Sequence, residues 1–239
     1  MAEQAEGRRW LVAHFVPCAL FALKVSNATS SVGRTLLIPT PYAIKMALVE
    51  AAFTAGLPYP ECDVLLRTLA AMEVRIAPPP RAVVCHTFLK IRQEPKNANP
   101  DHPYISSIAY REVVFHQGES LWAFLLADFA PEVQRQITKL LPYIRYIGKR
   151  GSFVQFIGSE WREDIDVTFT QPVESTALSL PPRSHIAPLD DTGPEADLET
   201  LSPYSSKRAA SGRHRVFVNT LVPLGVINNG PGFTEYRSD

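Results

Sequence analysis

Hydrophobic and polar positions follow two different patterns in the first half of the chain. Residues 10–25 are almost continuously apolar and rich in aromatic side chains, with an interruption at Pro17, which predicts a buried strand with a bend. Residues 83–93 and 104–116 instead have the two-residue period of β-strands. Because the polar residues 95–103 connect them, we expect a long hairpin with a protruding tip.

Three helices are predicted from apolar residues at helical spacing and from their end signals. The first has Thr40 as a cap, Pro41 at its first position and Gly56 as its stop. The second covers residues 61–72, where leucines share one side. The third begins at Pro131 and continues through residue 141, before another proline.

Short strands are also predicted at residues 121–126 and 152–157. The order strand, helix, long hairpin, helix, strand indicates an α+β fold. We expect a ferredoxin-like, RRM-like antiparallel sheet with helices on one face. The hairpin at residues 81–117 would protrude from it as a thumb.

The final part of the chain has a different composition from the rest. Residues 171–211 are rich in Pro, Ser and Thr and poor in large apolar residues, whereas residues 213–222 alternate again. We therefore divide the chain into a core at residues 1–170 and an extension at residues 171–239. The extension is expected to be loosely ordered, with one final strand.

Composition and charge exclude some classes of protein. The chain has 239 residues, of which 46% are hydrophobic and 20% charged, and a net charge of zero, so it is globular and not a generally basic nucleic-acid binder. Three widely spaced cysteines suit neither a disulfide framework nor a zinc site, which predicts a cytoplasmic protein. Residues 8–29 resemble a secretory signal, but we interpret their apolar run as the buried strand, too short to span a membrane.

A glycine-flanked pair of cations lies between two strand-like runs in residues 143–158. Gly148 and Gly151 can adopt positive φ, and Lys149 and Arg150 add two charges beside accessible amides. Neither the P-loop nor the dinucleotide pattern is present, so this turn favours a polymer backbone over a mononucleotide. An ordinary β-turn with solvated basic residues is the alternative.

The two faces of the predicted hairpin differ in composition. The expected core face carries Val83, Cys85, Thr87, Leu89 and Ile91, and the other carries Val84, His86, Phe88, Lys90 and Arg92. Rings and cations together can stack on bases and neutralise phosphates. The alternative is an amphipathic hairpin with a solvated polar face.

Motifs for catalysis are sparse. The six histidines show no metal-ligand spacing and the nucleophile elbow is missing, so the sequence predicts neither a metal nor a cofactor and favours a protein that is not an enzyme. Metal-free RNA cleavage needs only a base and a cation. Because His86, His116, Lys90 and Tyr104 can share the hairpin, a metal-independent endoribonuclease stays open as the alternative.

Two motifs resemble the CRISPR-associated protein 5 family. The sequence Tyr-Ile-Gly-Lys-Arg-Gly-Ser within residues 140–156 looks like that family's glycine turn near the end of its ferredoxin-like core. The sequence Ile-Pro-Thr-Pro-Tyr-Ala-Ile-Lys-Met-Ala-Leu at residues 38–48 resembles its Pro-rich lead into the first helix, and residues 81–117 would correspond to its thumb. The likeness covers residues 9–160.

The resemblance implies a function. It implies a non-catalytic subunit of a type I Cascade surveillance complex, a ribonucleoprotein of antiviral defence that targets DNA. Such a subunit would hold the 5′ handle of the guide RNA (crRNA), with its thumb against a backbone subunit and its tail near a large subunit, and with target DNA as a further partner. One subtype processes precursor RNA with a Tyr, Lys and His arrangement, and a protein-only scaffold is a third alternative.

The RNA-binding residues expected under this hypothesis fall into two groups. Phosphate contacts are expected from the cations and turn residues Arg34, Lys45, Gly148, Lys149, Arg150, Gly151 and Ser152. Base or sugar contacts are expected from the hairpin residues Lys90, Arg92, Tyr104 and Arg111.

Overall fold

Strands predominate in the computed structural model, which describes residues 9–25, 32–94, 97, 100–101, 103–174, 181–202 and 205–238. The strands there are β1 (Trp10–Pro17), β2 (Val32–Gly33), β3 (Val74–Ala77), β4 (Arg81–Gln93), β5 (Ile105–Gln117), β6 (Ser120–Leu125), β7 (Val154–Arg162), β8 (Gln171–Pro172), β9 (His185–Thr192), β10 (Arg215–Val222), β11 (Gly225–Gly230) and β12 (Phe233–Arg237). The helices are α1 (Pro41–Thr54), α2 (Tyr59–Ala70), α3 (Pro131–Leu140) and α4 (Leu198–Leu201), with a 3₁₀ turn at Leu141–Tyr143.

The three predicted helices are confirmed, with small shifts at their ends. Thr40 caps α1, since its hydroxyl oxygen accepts the Ala43 N–H at 3.1 Å. Gly56 follows the helix with φ of 89°. None of the helices in the described parts of the chain is long and apolar enough to cross a membrane.

The first sheet has four antiparallel strands in the order β3-β6-β1-β7. Residues of α1, α2 and α3 pack on one face of it, around a stacked pair of rings, Phe15 and Trp122, whose centroids are 3.8 Å apart. On the opposite face Phe169 and Ile165 cover Trp10 and Val12. Both faces of β1 are therefore buried, as its continuous apolar pattern predicts. The strand nevertheless ends at Pro17 instead of bending there and continuing to residue 25.

The long hairpin belongs to a second sheet, with the order β11-β12-β4-β5-β2. The strands β4 and β5 pair along their whole lengths, β12 pairs with the inner half of β4, and β2 runs parallel to β5. A third sheet has the order β8-β10-β9.

These strands correct the expected loosely ordered extension. Instead of one strand, residues 181–202 and 205–238 contain β9 to β12 and α4. Small apolar side chains such as Ala187, Leu189 and Val222 are buried against the main core. The Pro- and Ser-rich composition gave no signal for β12, because one of its two partner strands, β4, lies in the first half of the chain.

The burial of the hairpin also differs from the prediction. At its base Ala82, Val84, Val114 and His116 are buried, so the face expected to carry rings and cations is the core face there. On the outer half the same face is open, and Phe88 is 72% exposed. The two-residue pattern does not reveal that the same face is buried at the base and exposed further out. The base alone is covered by residues such as Phe21.

Candidate nucleic-acid interface

A groove of about 490 Å³ lies between the hairpin strand β5, the short strand β2 and the glycine turn after the 3₁₀ helix. We call it the basic groove. It is lined by Ala22, Leu23, Lys24, Gly33, Arg34, Thr35, Tyr42, Arg111, Glu112, Gly148 and Lys149.

Positive charge dominates this lining. Lys24, Arg34, Arg111 and Lys149 face a single carboxylate, that of Glu112, although the whole chain has a net charge of zero. A cleft lined by one sign of charge concentrates its field and raises the local concentration of the opposite charge. The basic groove can therefore bind a negatively charged polymer, although the whole protein carries no net charge.

The glycine turn has the backbone geometry that its sequence predicts. Gly148 has φ of 66° and Gly151 has φ of 107°. A side chain at Gly148 would also meet Leu23 Cδ1 at 2.8 Å. The Ser152 N–H donates to the Lys149 carbonyl at 3.1 Å, which closes the turn and leaves the Lys149 side chain exposed.

Close packing between β2 and β5 positions Arg111. Its Nη1 donates to the Tyr110 carbonyl at 2.9 Å, and its side chain crosses directly over Gly33. A Cβ at Gly33 would lie 2.6 Å from Arg111 Cδ and 3.0 Å from the Tyr110 carbonyl oxygen. The missing side chain at this position thus makes room for the guanidinium arm.

Glu112 is held in place by hydrogen bonds to both of its oxygens. Its Oε2 accepts the Thr35 N–H at 3.0 Å, and its Oε1 accepts the Tyr110 hydroxyl at 2.8 Å. The Tyr110 oxygen in turn lies 2.7 Å from His86 Nδ1. Burial, and then the hydrogen bond to Glu112, raise the pKa of Tyr110, so its hydroxyl stays a donor.

A second cavity of about 480 Å³ adjoins the groove between the hairpin and β9. We call it the inner cavity. It shares Arg34, Thr35 and Glu112 with the basic groove, and its other polar lining residues are His86, His185 and Tyr236. Burial raises the pKa of Tyr236, which keeps this ring neutral.

The structure brings together only part of the predicted site. Arg34, Arg111, Gly148 and Lys149 all line the basic groove. Arg150 and Gly151 are exposed on the same turn but are not part of the lining. The exposed residues of the outer hairpin, Lys90, Arg92 and Tyr104, line neither cavity.

Lys45 is a correction to the predicted site. Its side chain is fully buried, and its Nζ lies 2.7 Å from Asp191 Oδ1 and 3.2 Å from Thr192 Oγ1. Burial lowers its pKa, while Asp191 opposes that effect. This lysine joins α1 to β9 and is not available to a phosphate.

Ser152 is also buried, at 4% exposure. Its hydroxyl oxygen accepts the Ala22 N–H at 3.3 Å, so the side chain anchors the turn to the segment after β1. The serine supports the turn from inside and does not face the groove.

His116 does not join His86 in a reactive pair. It is 7% exposed, and its Nε2 donates to the Leu37 carbonyl at 2.6 Å. His86 pairs with Glu112, four residues from His116 along β5, which corresponds to roughly 14 Å. Burial lowers the pKa of His116, as expected for a neutral core histidine.

Two charged residues that line the groove, Lys24 and Glu112, were not predicted from the sequence. Lys24 lies within the apolar run of residues 10–25 and gave no periodic signal, whereas Glu112 lies on the same hairpin face as the rings and cations and marks a polar position there. Within the described ranges, no cluster of three His, Cys, Asp or Glu residues could hold a metal ion.

No protein-family model matches the chain. It is 23% identical over 209 residues to the CRISPR-associated protein Cas5 of Archaeoglobus fulgidus, covering 85% of this chain and 86% of that protein. A crystal structure of a CRISPR protein from Archaeoglobus fulgidus has a TM-score of 0.46 at 12% identity, over 97% of this chain and 92% of the other. A chain of a CRISPR RNA-guided surveillance complex has a TM-score of 0.46 at 16% identity, over 89% and 90%.

Proposed function

We propose that this chain is a non-catalytic subunit of an RNA-guided CRISPR Cascade surveillance complex that binds the 5′ handle of the guide RNA. The observation that carries the proposal is the basic groove, where Arg34, Arg111 and Lys149 converge in a chain without net charge. Sequence similarity to a protein named Cas5 along most of both chains supports it.

The fold is consistent with the ferredoxin-like core that the sequence predicts for this role. The first sheet consists of β1, β3, β6 and β7, which lie side by side in the order β3-β6-β1-β7. Helices α1 and α2 follow β1 in the chain, and α3 follows β6. Phe169 covers the sheet face opposite the helices. We therefore place the RNA in the basic groove instead of across that face.

The groove would bind the strand mainly through its phosphates. Arg34, Arg111 and Lys149 would neutralise phosphate charge, and the turn around Gly148 would let the backbone approach closely. Arg150 at the rim of the turn would extend this contact. Lys90, Arg92 and Tyr104 would reach base or sugar groups further along the thumb.

The proposal includes protein partners. A backbone subunit would pack on the exposed outer half of the hairpin, where Phe88 and Ile108 are 72% and 74% exposed. The hairpin tip at residues 95–103 lies largely outside the described residues. The large subunit and target DNA remain proposed partners.

A non-catalytic role is supported by the two hairpin histidines. His116 is buried with its Nε2 bonded to the Leu37 carbonyl, and His86 is bonded through both ring nitrogens, to Tyr110 and Thr234. A general base has to reach the proton that it removes. Neither ring is arranged for that task in this structure.

Replacing Arg34 and Lys149 together by Ala should test the function. Binding of labelled repeat RNA to the full chain should weaken at least tenfold near 0.1 M salt, because two phosphate contacts are lost. The slope of log K against log salt should decrease by about 1.4, at roughly 0.7 per phosphate of a single strand.

The matched control replaces Arg135 and Lys139 by Ala. Both lie on α3, carry the same total charge and line no part of the groove. This variant should bind RNA like the unmodified chain. Equal losses in the two variants, or no RNA binding by the unmodified chain at low salt, would contradict the proposal.

A further inference from the structure

The basic groove contains one carboxylate beside its four cationic side chains. Among the described residues of the basic groove, Glu112 alone is acidic, and it also lines the inner cavity. A phosphate placed on Glu112 would meet a like charge, which is unfavourable. The group that a bound strand presents here must therefore be a hydrogen-bond donor.

Glu112 has acceptor capacity left for such a donor. Each oxygen of a carboxylate offers about two acceptor sites. The Thr35 N–H uses one site on Oε2, and the Tyr110 hydroxyl uses one on Oε1, which also lies 3.4 Å from His86 Nδ1. The second site of Oε2 is therefore the one offered to a further donor. These two hydrogen bonds fix the orientation of the carboxylate, and its side chain is only 10% exposed.

The inner cavity has the size and lining of a site for a flat polar ring. Its volume of about 480 Å³ lies within the usual range of small-ligand pockets. His185 and Tyr236 stand at its wall with ring centroids 6.2 Å apart. Arg34 lines both cavities, so a phosphate in the groove and a ring in the cavity can belong to one nucleotide.

We propose that the inner cavity takes one unpaired nucleobase of the bound strand and that Glu112 selects a base with an exocyclic amino group. Cytosine, adenine and guanine each have such a group. Uracil has none, and its one ring N–H lies between two carbonyl oxygens that a carboxylate repels. This inference rests on the proposed RNA binding and adds a base preference to it.

The test compares cytidine and uridine RNA octamers, which have the same length and charge. Anisotropy titrations of the full chain at low salt should give roughly tenfold tighter binding of the cytidine octamer, the worth of one charge-assisted hydrogen bond. Glu112→Gln keeps the shape but can donate to uracil, so the ratio should fall to about one.

Glu119→Gln is the matched control, since it removes an exposed carboxylate outside both cavities and should leave the ratio unchanged. Equal binding of both octamers by the unmodified chain would overturn the base preference and leave the proposed function standing. No binding of either octamer would contradict the proposed function itself. Binding of free cytidine monophosphate as tight as that of the octamer would overturn the inference in favour of a mononucleotide site.

Discussion

Two lysines that the sequence placed in the same binding site occupy opposite environments. Lys45 lies inside the contact between α1 and β9, fully buried and 2.7 Å from Asp191. Lys149 is exposed on the glycine turn and lines the basic groove. One cation holds the C-terminal strands on the core, and the other is free to meet an anion from outside.

The difference shows that residue type alone does not identify a binding cation. Lys45 shares a helical stripe with Leu48, Val49 and Ala52, all of which are buried. A lysine on such a stripe has to find an acid within the protein. Lys149 lies on a tight turn between Gly148 and Gly151 instead of on the buried side of a helix.

Replacing Lys45 should give the largest effect and should affect stability alone. Lys45→Met leaves the Asp191 carboxylate without its cation in a mostly buried site, which should lower the free energy of unfolding by about 3 kcal/mol. Chemical denaturation measures this change. RNA affinity below the unfolding transition should be unchanged, since Lys45 does not line the groove.

The second substitution Asp191→Asn is the control, because it removes the unpaired charge and keeps an oxygen for the Thr192 N–H. The double variant should regain more than half of the lost stability. If Lys45→Met weakened RNA binding in the folded protein, the assignment of this lysine to the interior would be wrong.

The sequence predicted those parts whose signals are local. Thr40, Pro41 and Gly56 give the ends of α1, and Gly148 and Gly151 give the turn, because capping and positive φ depend on single residues. Strand β12 was missed because one of its two partners, β4, lies in the first half of the chain. The groove itself could be predicted only in part, since β2 and β5 bring Arg34 and Arg111 together from different parts of the chain.

The buried histidine should give a smaller effect that depends on pH. Burial lowers the folded pKa of His116 below its usual 6.5. As the pH falls, the unfolded chain therefore takes up a proton at His116 before the folded protein does. The full contribution of this residue to stability is present above about pH 6.5 and is lost progressively at lower pH. Between pH 7.5 and 5.5 this residue should remove roughly 1 kcal/mol of unfolding free energy.

His116→Gln should flatten this dependence, because an amide can still donate to the Leu37 carbonyl and does not titrate. The difference in unfolding free energy between the unmodified chain and His116→Gln, followed against pH, separates the contribution of His116 from those of the other histidines. Identical pH profiles would mean that His116 is not held neutral by burial. RNA binding should respond weakly, since His116 lines neither the groove nor the inner cavity.

The smallest expected effect concerns the packing of Arg111 over Gly33. A Cβ at Gly33 would lie 2.6 Å from Arg111 Cδ, so Gly33→Ala should push the guanidinium out of its position in the groove. RNA affinity should fall about threefold, the equivalent of about 0.7 kcal/mol. Gly158→Ala is the control, since nothing lies within 4 Å of a Cβ there.

A double-mutant comparison tests whether Gly33 acts through Arg111. Arg111→Ala should lower RNA affinity as much as Gly33→Ala does, and the double variant should lower it no further, because both changes remove the same contact. Additive losses would show that Gly33 acts on the groove by some route other than Arg111.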